Sequence, residues 1–392
     1  MIYFFQTLKT NVYSFVFLLI FTASCNQKKD SIKIDAESIF PQQEGLFSIV
    51  DSVVINEPSV FLKSKKGSKF LFVRHTNQDV VLFDERKKTF LKFNKFGQDP
   101  FTISTPINDN IGFVNDSVIW ISDVGKIKKF SLEGEFLEAM DVPSINPYTP
   151  LSKILFNEKY LYALEIPVGN TGSKEYYEKK YSLFLKHSLT DSIQERFFDF
   201  PPKDNKFFTD KYYLAYNVFY YVNYPNKTSA TYLYSVEPII YTVNLEKGVI
   251  SKKTEFFPEY FAPLKVYFKD KPDNNRIFMQ AYMGGVFTGH FIVNDINYAF
   301  YSIPYSEEFM VEFVKTHKNF PFEEAPDIKF ALTVFDNEGK KLRDDIVFPT
   351  SLGKPLLMDE DGIIYFMKNP TEEDEKKGQT VYYKVRLTDE KP

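Results

Sequence analysis

One unit recurs along most of this chain and limits its folds more than any other feature: two short apolar strands joined by a tight turn, with a proline ending the second. The clearest copy runs Ile127-Lys128-Lys129-Phe130-Ser131-Leu132, turns at Glu133-Gly134, continues through Glu135-Phe136-Leu137-Glu138-Ala139-Met140 and ends at Pro143. Further copies turn near Asp191, Gly248 and Gly339 and end at Pro201, Pro258 and Pro349. An earlier variant turns at Arg86-Lys87. Each copy follows another apolar strand introduced by a polar turn, as at Asn115-Asp116-Ser117, Asn157-Glu158-Lys159 and Asp361-Gly362. From Arg86 to Gly134 is about 48 residues and from Gly134 to Asp191 about 57, the length of a propeller blade with modest loops. Many short strands at regular intervals, with turn residues between them, predict an all-β architecture. Abundant Phe (42) and Tyr (26) fit that reading, because aromatic side chains suit pleated, half-buried surfaces.

Four strands per unit place blades at about 58–95, 108–142, 151–200, 212–257 and 285–348. A last set near 354–358, 362–368 and 381–387 lacks a fourth strand. The early segment Leu46-Phe47-Ser48-Ile49-Val50, continuing through Val53-Val54-Ile55 to Pro58, can supply it, removing edges that would otherwise invite aggregation. The expected fold is a six-bladed β-propeller closed by an N-terminal strand. Seven blades is the alternative, because residues 259–284 are long enough to hold further strands.

The lone cysteine, Cys25, follows an apolar run from Val12 to Phe21 and the small residues Thr22-Ala23-Ser24. That run is too short to span a bilayer, which takes about 20 residues, but it fits the core of a signal peptide. Ala23, Ser24 and Cys25 resemble the lipobox of bacterial lipoproteins, in which the cysteine is lipidated; Thr22 departs from the usual Leu. The expected map is a signal peptide over 1–24, a lipidated Cys25 with a tether over 25–45, and one propeller domain over 46–392. A cell-envelope location follows, as an outer-membrane lipoprotein facing either side.

The blade phrase Asp116-Ser117-Val118-Ile119-Trp120-Ile121, the turn Leu132-Glu133-Gly134, and Gly284-Gly285 before a hairpin around Tyr298 and Tyr301 resemble the six-bladed, TolB-like propeller lipoproteins of unknown function common in Bacteroidetes. The resemblance covers roughly residues 40–390. It implies fold and brings no catalytic residues.

Chemistry is sparse in the sequence. A formal net charge of −4 without a basic block excludes a nucleic-acid partner. His75, His187, His290 and His317 form no metal-binding pair, and phosphate loops and nucleophile elbows are absent, so no metal or cofactor is expected. Polar residues at turns between second and third strands could gather at the funnel of the ring: Asp123, Glu165 and Glu237, with His75 and Asn77 in the first blade. They could bind a cation or a sugar, or simply be turn residues at solvent. In Tyr282-Met283-Gly284-Gly285-Val286-Phe287-Thr288-Gly289-His290 the glycines allow close backbone approach, so that Tyr282 and His290 could meet a ligand. Tyr-rich stretches at Tyr212, Tyr213, Tyr216 and Tyr232 to Tyr234 could form a stacking platform but fit a packed core better. The spacing of Phe309, Phe313 and Val314 predicts a short helix, while Glu372 to Lys377 reads as a solvated loop.

The leading functional expectation is a non-catalytic binding or scaffolding module for a protein, peptide or glycan. The alternative is a lyase or hydrolase with a polar site at the central funnel. A third reading, nutrient capture, requires an exposed aromatic platform.

Overall fold

The computed structural model describes residues 45–97, 99–107, 110–143, 151–165, 181–191, 193–200, 220–263, 282–317 and 325–388. Residues 1–24, Cys25, the insertion 166–180, and Tyr212, Tyr213 and Tyr216 lie outside them, as do parts of the segments 259–284 and 304–327.

The chain begins with β1 (Phe47–Ile55) and then builds sheets of four consecutive antiparallel strands. Blade one is β2 (Val60–Lys66), β3 (Lys69–Arg74), β4 (Asp79–Asp84) and β5 (Thr89–Asn94). Blade two is β6 (Ile111–Phe113), β7 (Val118–Asp123), β8 (Lys126–Ser131) and β9 (Phe136–Asp141). Blade three is β10 (Ser152–Phe156), β11 (Tyr160–Leu164), β12 (Tyr181–Ser188) and β13 (Gln194–Phe200). Blade four is β14 (Tyr220–Asn226), β15 (Ser229–Tyr234), β16 (Ile239–Asn244) and β17 (Val249–Glu255). Blade five is β18 (Phe287–Val293), β19 (Ile296–Ser302), β20 (Phe330–Phe335) and β21 (Lys341–Phe348), with helix α1 (Glu307–Thr316) between β19 and β20. Blade six is β22 (Lys354–Met358), β23 (Ile364–Met367) and β24 (Thr380–Leu387), with helix α2 (Glu372–Lys377) before β24.

First strands surround the axis: β2 meets β6 and β22, β18 meets β14 and β22, and β10 meets β14. Fourth strands such as β5, β9 and β17 form the exposed rim. The ring closes as expected. β1 pairs antiparallel with β24 from Phe47↔Leu387 to Ile55↔Thr380, with one irregularity between Ile49 and Asp51. The described residues thus hold six four-stranded blades.

Hydrophobic clusters fill the seams between neighbouring blades rather than one central core. Leu71, Val80, Ile111 and Ile119 seal blades one and two. Trp120, Ile127, Leu161 and Leu185 seal two and three. Tyr162, Phe184, Tyr232, Tyr234 and Tyr241 fill the seam of three and four, so Tyr232 and Tyr234 are core, not platform. Phe70, Phe72, Tyr365 and Tyr382 seal six against one. The tyrosine hydroxyl there has a second use: Tyr382 donates to the Val60 carbonyl and accepts from the Leu62 amide, stitching β24 to β2.

Turn chemistry follows the sequence closely. Side-chain oxygens of Asn115, Asn157, Asn226, Asp336 and Asp359 accept backbone N–H groups two to four residues ahead, fixing the tight turns. Gly339, at φ 86°, is required outright: a Cβ there would sit 2.1 Å from the Glu255 carbonyl oxygen of the neighbouring blade. Helix α1 forms where its apolar spacing predicts, capped by Ser306, whose side chain accepts from the Phe309 amide. The acidic-basic run from Glu372 is not a loop. Thr371 and Asp374 form a reciprocal capping box, and Gly378 in the left-handed region ends helix α2. Among the described residues no helix is long and apolar enough to cross a membrane.

Candidate functional site

Within each blade the turn from second to third strand, and the connection from one blade's fourth strand to the next blade's first, lie on the same face of the ring. Asp123, Glu165 and Glu237 all stand on this face, at the ends of second strands or just after them. In β7 both sides of the strand are buried, Ile119 and Ile121 in the seam with blade one and Trp120 in the seam with blade three, and the strand ends where a polar side chain meets the incoming connection.

Asp123 is 5% exposed. Its carboxylate accepts from the Ser104 amide and hydroxyl at 3.1 and 2.8 Å, and from the Thr105 amide and hydroxyl at 3.1 and 2.8 Å. The Val124 amide adds a bond at 3.0 Å, and buried Lys128 closes an ion pair at 3.1 Å. Burial alone would raise its pKa, but bonds from Ser104, Thr105 and Lys128 outweigh that and lower it from 3.8 to about 2. The group is a fixed anion that fastens the connection between blades one and two. Ile103 and Ile107 on that connection are fully buried, and the Ile107 amide donates to the Gln78 side chain from the blade-one turn.

Blade one repeats the device with different residues. Arg74 bonds Asp79 through Nε at 3.1 Å and Glu57 of the incoming connection through Nη1 at 2.7 Å. Lys92 reaches Glu57 at 3.0 Å, and Asn94 donates to Asp79 at 2.9 Å. In blade three the buried Glu165 carboxylate accepts from Arg196 Nε at 2.8 Å, and Arg196 also donates at 3.2 Å to the carbonyl of Pro143, just after β9. Glu237 is buried in blade four, its amide bonded to the Tyr234 carbonyl. His75 is half-buried with its ring 4.7 Å from Phe61 of β2, and Asn77 is exposed, its backbone carbonyl accepting from Asn94.

The two residues flanking the glycine-rich stretch go to different places. Tyr282 packs with Met310 beneath α1, where burial raises its pKa to about 12. His290, on β18, is buried: Nδ1 lies 2.9 Å from Asn223 Nδ2 of the neighbouring blade, and Nε2 lies 3.1 Å from Asn297 Oδ1. Asn223 can only donate through its amide nitrogen, so His290 is the neutral Nε2–H tautomer. Burial lowers its pKa to about 4, against the opposing pull of Asn297. Gly285 allows a close approach from within the chain: its amide donates to the Ala262 carbonyl at 2.7 Å, and a Cβ would meet the Phe261 ring at 2.8 Å.

The sequence-nominated carboxylates therefore share one face but stand at separate blade corners. Their basic partners Lys128, Arg196 and Arg74, with Asp79 and Glu57, were not singled out from the sequence. One signal was available for Arg74 and Asp79, which face each other across a hairpin. The others bind across connections whose path the sequence does not reveal.

No protein-family model matches the sequence, and no curated protein does. Solved structures do resemble it. A member of the DUF4221 family from Bacteroides vulgatus superposes with a TM-score of 0.62 at 12% identity, covering 88% of this chain and 98% of that one. A candidate exported protein from Bacteroides fragilis superposes with a TM-score of 0.50 at 10% identity, covering 89% of this chain and 97% of that one. At such identities the likeness is one of fold.

Proposed function

We propose that this protein is a non-catalytic binding or scaffolding module of a bacterial cell envelope, a TolB-like propeller held to the outer membrane by a lipid on Cys25. Its ligand is a protein, peptide or glycan, received on the face that carries the second-to-third-strand turns. One observation carries the reading: polar side chains of that face hold described connections in place, as Asp123 does for Ser104 and Thr105 and Arg74 does for Glu57. Loops anchored this way are ordered before a partner arrives, which removes part of the entropic cost of binding. The description of the Bacteroides fragilis neighbour as a candidate exported protein is in keeping with the envelope, as is the lipobox-like Ala23-Ser24-Cys25. In this reading residues 1–24 are removed and 25–45 form the tether to a propeller over 46–392.

The test is affinity capture from native membranes with the lipidated chain as bait, beside a Cys25→Ser form. The expected result is a reproducible partner or glycan, with the Cys25→Ser protein released to the soluble fraction. Turnover of substrates from a glycan or peptide panel, with no partner recovered, overturns the reading.

A further inference from the structure

β1 is the outermost strand of blade six, and it leaves consecutive apolar side chains in solvent. Ile49 is 52% exposed and Val50 47%. The pairing with β24 slips between Ile49 and Asp51, so Val50 has no residue opposite it. A bulge of this kind re-aims side chains at a sheet edge.

The turn from β4 to β5 of blade one stands beside this stretch. Lys384 of β24 joins the two, its ammonium pairing with Asp51 at 3.1 Å and with Glu85 of the turn. The Ser52 amide and Lys384 hold the Asp51 carboxyl below its usual range, and Lys88 adds to that pull. After Glu85 the turn runs Arg86-Lys87-Lys88, all exposed, and Thr89 leads to Phe90, which is 44% exposed. Among the described residues the side chains of Arg86, Lys87 and Lys88 form no ion pair; Asp51 attracts Lys88, and Asp84 attracts Lys87, only at longer range.

Three apolar side chains thus stand beside three cations, and the chain from Cys25 arrives at the same corner. Gly45 and Leu46, just before β1, are tied to the end of β24: their carbonyls accept from the Thr388 hydroxyl and amide. The tether of residues 25–45 joins the ring within a few residues of Ile49 and Val50. A similar mixture, exposed Val249 and Ile250 with Lys247, occurs on blade four, across the ring from blade one. There Lys252 pairs with Glu338 and Lys253 lies over the Tyr241 ring, and no tether begins.

We propose that the corner formed by β1 and the β4–β5 turn rests on the bilayer that holds the anchor. Arg86, Lys87 and Lys88 lie against anionic lipid headgroups, and Ile49, Val50 and Phe90 enter the boundary of the acyl chains. The inference rests on the reading of Cys25 as lipidated. A basic patch beside an acyl chain makes attachment firm where one signal alone is weak, and each cation at an anionic leaflet is worth about fivefold. The ring then stands on its rim, with blade four farthest from the lipid and the face of Asp123 and Glu165 open to a partner.

The test uses the full lipidated chain in phosphatidylcholine vesicles with and without phosphatidylglycerol. Cys25 is the single cysteine and the lipid consumes its thiol. Val50→Cys, Phe90→Cys and Val249→Cys therefore each offer one site for an environment-sensitive fluorophore, all at exposed positions. With phosphatidylglycerol present, the Val50→Cys and Phe90→Cys probes are expected to shift to the blue and to be quenched by nitroxide-bearing lipids. The Val249→Cys probe should stay in water. Three charges together are worth about a hundredfold in the contact equilibrium, so adding Arg86→Gln/Lys87→Gln/Lys88→Gln should remove most of the quenching at Val50→Cys. Equal quenching of the Val50→Cys and Val249→Cys probes, or none at Val50→Cys, overturns the proposal. So does quenching indifferent to phosphatidylglycerol and to the triple variant. Intact mass reads acylation of Cys25 separately. If the lipid is missing, the same probes in a Cys25→Ser chain are mixed with the vesicles: quenching at Val50→Cys but not Val249→Cys keeps the contact while the anchor reading falls, and no quenching removes both.

Discussion

Replacing Asp123 by Asn tests whether the carboxylates of this face are fasteners. The substitution keeps shape but removes the charge opposite Lys128, whose side chain is also buried. An ammonium left there with no counter-charge, bonded only to the Thr102 carbonyl, destabilises by about 3–5 kcal/mol. The pH dependence gives a second measure. Lowering the Asp123 pKa from 3.8 to about 2 corresponds to about 2 kcal/mol of stability. Because the folded pKa is depressed, that stability is complete above pH 3.8 and is lost as pH falls toward about 2. Urea unfolding at neutral pH should therefore show Asp123→Asn weakened by about 3–5 kcal/mol. The gap to the wild type should narrow by about 2 kcal/mol in acid. Adding Lys128→Met should restore part of the loss, since the stranded charge goes with it. Hydrogen exchange should locate the loosening at Ser104 and Thr105. A variant within about 0.5 kcal/mol of the wild type, or a gap indifferent to pH, would refute the reasoning.

Three other outcomes are expected. Tyr382→Phe removes the hydroxyl that serves Val60 and Leu62 and should destabilise by about 1–3 kcal/mol, with faster amide exchange at Leu62. Gly112→Ala would place a Cβ 2.9 Å from Trp120 Nε1 and should lower stability by about 1–3 kcal/mol. Trp120 is the single tryptophan, so its emission spectrum reports the displacement directly. His290 is neutral when folded, so stability should be full above pH 6.5 and fall by about 3 kcal/mol as pH drops toward 4. His187, also lowered by burial, adds in the same sense. His290→Gln should flatten the decline in urea midpoints, and an unchanged slope would count against the buried neutral tautomer.

The blade plan was readable because its signals are local. Turns at Arg86, Gly134, Asp191, Gly248 and Gly339 all join third to fourth strands, and closure by residues 46–55 follows from a missing strand. The acidic corner residues were also found, since a polar residue ending an apolar strand marks a turn. Their roles were not legible. Whether Asp123 meets solvent or Ser104 depends on how the connection folds back, and no pattern encodes that path. Helix α2 was missed for a related reason: charge density masked a capping box set by Thr371 and Asp374. Tyr282 and His290 are eight residues apart, yet one packs under a helix and the other bridges two blades.

The pairing of β1 with β24 also governs when the molecule can form. Val60 and Tyr382 are 322 residues apart in sequence, and the strand of Tyr382 also pairs with β1, the first of the described strands. Of the described strands β1 is made first and its partner β24 last, so the ring cannot shut before all six blades have been made. Contacts of such high order slow folding, and until they form, one nascent sheet keeps an open edge.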